Sequence, residues 1–322
     1  MVSNCANCEK NPPIENSHIL PKWTIRHALH GSVTGILRAT DNINRRLQDA
    51  EKVPLLCRDC ENSFSKVENE AAKQFRAGAI AHGGTYNADF FRFLVSILWR
   101  VGMVRTDQVK NEAPRFSAAM ASAIQIWYDF LQGSRADVGE YPVWFDILDL
   151  ALAKKVNACM KSISTDTRGA APVINRYFAD WLGCEVTVYE KSGFALVWAK
   201  TSEWIIVGVV DVPDKTNHTS IQLSPSGGSF PSADHTLPPV VLATLGNQSW
   251  ECMRVSSAMK PAQRDKIQES WKQNKAKVPA SKQSKALEAD LEMFGDDAWV
   301  ELPEPKGGVK GQSCFGKGSH NL

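Results

Sequence analysis

The chain has 322 residues, 43% hydrophobic and 22% charged, with a formal net charge of +2. That apolar content is enough for one large or two ordinary buried cores, which sets aside a disordered or fibrous chain. The near-zero balance excludes a global basic field, and the longest apolar run, Phe93–Trp99, is bracketed by Arg92 and Arg100 and is too short to cross a bilayer.

The chain begins Met1-Val2-Ser3-Asn4, without the basic start and apolar stretch of a secretory signal, so a cytoplasmic setting with reduced thiols is expected. Cys5-Ala-Asn-Cys8 and Cys57-Arg-Asp-Cys60 are two CxxC knuckles. Each pair brings two thiolates to one ion within a tight turn, and two pairs complete the tetrahedral sulfur shell that zinc prefers. A structural zinc site on Cys5, Cys8, Cys57 and Cys60 is therefore expected, against a redox pair or unpaired thiols. Cys159, Cys184, Cys252 and Cys314 stand singly and read as small apolar residues.

Residues 1–60 carry few helical patterns, as expected where a metal stands in for a hydrophobic core. His27 and His30 share a face if that stretch is helical, and read as surface residues. From Glu61 to about Ala81, Phe64, Val67, Ala71 and Phe75 recur at helical spacing, and Gly83-Gly84 stops the helix. Asn87 caps a second, largely apolar helix reaching about Val104. Pro114 opens a third, ended by Gly133, and further helices are expected over Tyr141 to Met160 and Pro172 to Leu182. The period then switches to two over Glu185–Tyr189, Phe194–Trp198 and Trp204–Val210, which predicts an antiparallel meander, with Thr219–Leu223 as an added edge strand. Ser224–Pro239 reads as a loop, and a lone helix with a flexible tail is expected beyond Met259. Residues 260–285 hold eight Lys/Arg against Asp265 and Glu269, whereas 286–305 hold seven acids and no base, a pattern that reads as a solvated tail.

The expected class is α+β. A zinc-stapled, treble-clef-like ββα finger over 1–82 is followed by a helical region over 83–183, a β-meander over 184–258, and a helix with low-complexity tail over 259–322.

The Cys-x2-Cys pair, the Ser17-His18-Ile19-Leu20-Pro21-Lys22 segment, a long insertion and Leu56-Cys57-x2-Cys60 together resemble the HNH or His-Me finger endonucleases over about residues 5–70. The chain is also similar to a smaller group of bacterial proteins that share Ser-His-Ile-x-Pro-Lys, Leu-Cys-x2-Cys-Glu and a downstream Ser-x-Leu-Trp-Arg, here Ser96–Arg100. The HNH resemblance implies hydrolysis of DNA phosphodiesters, or of RNA, with His18 as general base. It implies a catalytic Mg or Mn ion as well, which absorbs charge on the transition state. The usual acidic or imidazole ligand before the base is Ser17 here. Glu61 and Glu68, on one face of the following helix, are the candidate ligands, and Asp49 stands roughly where the family places its central Asn. Lys22, Arg26, Arg45, Arg46 and Arg58 are the candidate nucleic-acid contacts. Defence against phage is the setting implied by analogy. The competing expectation is a catalytically inactive zinc-finger module that binds nucleic acid or protein. Under either reading the C-terminal half is a candidate surface for a protein partner.

Overall fold

Short strands that the knuckles hold at either end make up the first part of the chain. The computed structural model describes residues 4–14, 16–47, 49, 51–163, 168–213 and 221–299. It begins with β1 (Ser17–His18), α1 (Lys22–His30), β2 (Leu37–Arg38), β3 (Arg46–Leu47), β4 (Lys52–Val53) and α2 (Arg58–Arg76). β1 and β4 pair antiparallel, His18 opposite Lys52, and β2 pairs with β3 inside the insertion between them. Cys57 caps α2, whose first turn carries Asp59 and Glu61 toward the positive end of the helix dipole.

β5 (Thr85–Asn87) runs into α3 (Ala88–Glu112), and the Asn87 side chain accepts the Phe90 amide at 2.9 Å, the N-cap expected there. α3 continues to Glu112, past the expected end near Val104, and is buried on nearly every face over Phe90–Gly102. α4 (Ser117–Gln132) stops at Gly133, whose φ of 77° is the left-handed conformation a C-cap glycine supplies.

The helix expected over Tyr141 to Met160 is instead β6 (Val143–Ile147) followed by α5 (Leu150–Ile163). Val143, Trp144 and Phe145 are all buried, so this strand shows no polar alternation and its sequence merges with that of the helix. α6 (Ile174–Asp180) leads to β7 (Gly183–Tyr189), β8 (Phe194–Lys200) and β9 (Trp204–Asp211), the expected meander. The four-stranded antiparallel sheet has the order β6-β9-β8-β7. Inside the expected loop, β10 (Gly227–Ser229) pairs with β5. Of the expected edge strand, Gln222 makes a single bridge to Trp144, and residues 219 and 220 fall outside the described residues. α7 (Pro239–Ser257) was not expected, and α8 (Pro261–Gln273) and α9 (Lys282–Phe294) replace the lone helix. The expected flexible tail over 300–322 lies outside the described residues.

The fold is thus mixed helix and sheet. Period-two alternation splits the strands between two cores. Ala195, Val197, Trp204 and Ile206 face α3, α4 and the finger, while Leu196, Trp198, Ile205 and Val207 face α5, α6 and α7. Gly208 is glycine because a Cβ there would lie 2.6 Å from the Trp127 ring. No described helix is long and apolar enough to cross a membrane.

Candidate functional site

Both knuckles close because the backbone on either side is tied to one short segment. Ala6 N donates to Leu55 O and Ile14 N to Leu56 O, at 2.9 and 2.8 Å, which fixes the first knuckle against the approach to the second. Glu9 closes the first turn with a φ of 57°. The four thiols of Cys5, Cys8, Cys57 and Cys60 then lie within 4.8 Å of one another, close enough to hold one metal ion. Asn7 Nδ2 donates to Cys60 Sγ at 3.2 Å. Backbone N–H groups of Asn11 and Lys10 draw the Cys8 thiol down to about 6, whereas burial pushes Cys60 up to about 12.

Alternation along β1 sends its two side chains opposite ways. Ser17 is fully buried, and its hydroxyl accepts from Leu56 N at 3.0 Å and donates to Leu56 O at 3.4 Å. The residue before the candidate base is therefore a brace for the second knuckle. His18 turns the other way, with Nε2 3.0 Å from Asp49 Oδ2, and Asp49 also receives Lys52 Nζ at 2.9 Å. The side chains of His18 and Asp49 are 20% and 17% exposed, so the pair is half-buried with part of each side chain open to solvent.

Glu68 is engaged elsewhere. Arg100, 1% exposed, donates to Glu68 Oε1 at 2.5 Å and to the His18 carbonyl at 2.9 Å, and lies over the Phe64 ring. Arg100 thereby clamps β1 and α2 onto α3. Within the Ser96–Arg100 motif, Ser96 Oγ is a further acceptor for Arg100 at 3.3 Å, an internal role that the motif by itself does not choose over a substrate contact. Glu61, in the first turn of α2, is half-buried, and its Oε1 has no hydrogen-bond partner among the described residues.

His18 and Asp49 are brought together, but His18, Asp49, Glu61 and Glu68 do not form a ligand group. Among the described residues, such groups of three or more are the four cysteines and a second cluster, His82, Asp146 and His235. No sequence spacing marked that second cluster.

Lys22 and Arg26 are exposed one helical turn apart on α1, Arg46 is exposed on β3, and Arg58 is exposed in the first turn of α2. Arg45 is exposed too, and pairs with Asp41 at 2.9 Å. His27, expected at the surface, bonds Glu203 at 2.6 Å, and Lys282 Nζ reaches the same Glu203 oxygen at 2.5 Å. No protein-family model, curated protein or solved structure matches this chain.

Proposed function

We propose that the N-terminal finger is an HNH-like nuclease centre acting on DNA, with His18 as general base and a zinc ion on the four cysteines as its structural brace. The observation that carries this reading is the half-buried His18–Asp49 contact at 3.0 Å, which starts from a strand that the knuckles brace. A zinc tetrathiolate with bonds of about 2.3 Å has sulfur–sulfur edges of about 3.8 Å. The Cys8–Cys57 separation of 3.7 Å fits that edge.

Asp49 orients the imidazole by holding Nε2, which leaves Nδ1 to take a proton from the attacking water. The water oxygen bonds to phosphorus as the bond to the leaving oxygen breaks. Exposed Lys22, Arg26, Arg46 and Arg58 supply positive charge for the flanking phosphates. A catalytic Mg or Mn ion does not fit on Glu61 and Glu68, because Arg100 holds Glu68 and the two carboxylates join no ligand group with His18. Defence against foreign DNA is the setting this reading suggests.

A second reading has an observation of its own. Ser17 and Glu68, at positions where the HNH resemblance implies metal ligands, are both used to hold the fold, as expected of a finger that binds nucleic acid without cutting it. Purified protein is incubated with plasmid and single-stranded DNA in Mg, Mn, Ca or chelator. The nuclease reading expects cleavage that His18→Ala abolishes while metal content and circular dichroism stay unchanged. Retained DNA binding with no cleavage under any condition favours the non-catalytic module, and cleavage that survives His18→Ala removes His18 from the chemistry.

A further inference from the structure

The β5–β10 ladder gathers two loops that are far apart in sequence. Ser229 sits opposite Thr85, and Phe230 N donates to Gly84 O at 2.7 Å, so the loop entering β5 and the loop leaving β10 emerge at the same end. His82 lies in the first loop and His235 in the second. Lys155 Nζ holds the second loop onto α5 through the carbonyls of Ala233 and His235, at 2.6 and 2.5 Å. Asp146, near the end of β6, and Asp149, just before α5, complete the surroundings. One ligating atom from each of His82, Asp146 and His235 lies within 4.8 Å of the others.

The hydrogen bonds fix what the two rings present. His82 Nδ1 lies 3.2 Å from Pro231 O, and His235 Nδ1 bonds Ser232 O. A carbonyl oxygen only accepts, so both Nδ1 atoms carry protons, and the neutral rings then hold lone pairs on Nε2. Each of those nitrogens faces another acceptor. His82 Nε2 is 3.1 Å from Asp149 Oδ2, and His235 Nε2 is 3.0 Å from Asp146 Oδ2. Such a contact is favourable only with a cation shared between nitrogen and oxygen, either a proton or a metal ion. His235 Nε2 is buried and, at 3.0 Å from Asp146 Oδ2, lies off the line of a hydrogen bond.

A metal ion satisfies the same contacts. Neighbouring ligands on an octahedral ion with bonds of about 2.1 Å lie about 3.0 Å apart, which matches the His235–Asp146 separation of 3.0 Å. Imidazole with carboxylate is a donor set for divalent first-row transition ions. The backbone carbonyls on both Nδ1 atoms are the outer partners that orient metal-binding histidines. The side chains of Asp146 and His235 are 3% and 4% exposed, against 37% and 22% for Asp149 and His82, so one side of the cluster opens to solvent.

We propose that His82, Asp146 and His235, with Asp149 beside them, form a second metal site that binds a divalent first-row transition ion through nitrogen and oxygen. It is separate in donor chemistry from the cysteine cluster and independent of whether the finger cuts DNA.

Full-length protein is loaded with zinc at the cysteines and then titrated with Co(II), Mn(II) or Ni(II), with bound metal counted by elemental analysis after desalting. The expected result is a second equivalent of metal. With cobalt it gives visible ligand-field bands without the near-ultraviolet thiolate charge transfer that marks displacement of the cysteine zinc. His82→Asn, at the solvent-facing side, weakens this equivalent about tenfold or more while zinc content and circular dichroism are retained. A wild-type chain that never exceeds its cysteine-bound equivalent overturns the proposal and leaves two imidazolium–carboxylate clamps. So does a second equivalent that persists unchanged in the folded His82→Asn and His235→Asn proteins. The wild-type stoichiometry decides the matter even if a variant fails to fold.

Discussion

Glu68→Ala separates a carboxylate that holds a metal from one that holds the fold. Arg100 is 1% exposed, and Glu68, 16% exposed, is its carboxylate partner at 2.5 Å. Removing one member of a buried pair costs about 3–5 kcal/mol, because the remaining charge is left uncompensated. Here the cost is reduced, since Glu68 is partly solvated and Arg100 keeps the His18 carbonyl and Ser96 Oγ. Arg100 Nε, however, already lacks a partner among the described residues, so little reserve is left. The net expectation is a loss of about 2–3 kcal/mol, a 30- to 150-fold shift in the unfolding equilibrium.

Urea unfolding followed by tryptophan fluorescence measures this directly, Phe64 lying stacked on Trp99 beside the pair. Arg100→Met with Glu68→Leu removes both charges and is expected to recover most of the loss, because an apolar replacement leaves nothing buried and unpaired. If Glu68→Ala stays within about 0.5 kcal/mol of wild type, the range of ordinary surface changes, the clamp is refuted. If it abolishes DNA cleavage with stability intact, Glu68 belongs to the chemistry after all.

Ser17→Ala is expected to cost about 1–3 kcal/mol and to speed metal loss from the cysteines, since it strips a fully buried Leu56 N–H of its acceptor; zinc release to a chromogenic chelator reads it. Burial works to raise the Glu203 carboxyl, yet the His27 and Lys282 contacts outweigh it and hold the group at about 2, below its usual 4.5. The stability this confers is present above about pH 4.5 and is lost as pH falls toward 2. A wild-type advantage over Glu203→Gln should therefore narrow across that window in acid-unfolding curves, and an advantage that is flat with pH contradicts the assignment. Gly208→Ala places a Cβ 2.6 Å from the Trp127 ring and is expected to cost about 1–3 kcal/mol as overpacking, measured as a lowered urea midpoint.

The features legible in the sequence are those whose spacing is local. A CxxC turn, the Asn87 cap, the Gly133 stop and the β-branched run through Trp204–Val210 each depend on neighbours within a few residues, and each recurs in the structure. β6 was hidden because both its faces are covered, which removes the polar alternation that separates a strand from a buried helix. α7 was hidden for a related reason. It is buried along Val240–Gly246, and Gly246 lies so close to Met160 that a Cβ would sit 2.5 Å from Met160 Cγ. The acidic stretch after residue 286 read as solvated tail, yet Asp290 is fully buried and accepts the Asn175 amide and Arg176 Nε, both at 2.8 Å, at the N-terminus of α6. Its role depends on a helix more than a hundred positions away. Glu68 with Arg100, 32 positions apart, and the second histidine cluster likewise become neighbours only in the folded chain.

Asn7 shows why the cysteine cluster bears on more than the finger. Its side-chain amide donates to Cys60 Sγ at 3.2 Å, its Oδ1 accepts from Gln132 Nε2 at 2.7 Å, and its backbone carbonyl accepts from Tyr128 hydroxyl at 2.7 Å. One knuckle residue thus ties a sulfur of the cysteine cluster to two positions on α4. Cys5, Leu56 and Cys57 also pack in the same apolar cluster as α3 and α4. A charged sulfur strengthens the Asn7 amide bond, and an ion on the four cysteines keeps those sulfurs charged. An ion on the four cysteines would therefore act on the α3–α4 core through a hydrogen bond as well as through the finger's own closure. Chelation should raise amide exchange in α4 around Tyr128 and Gln132, and exchange confined to residues 5–60 would show that the knuckle and the body are energetically separate.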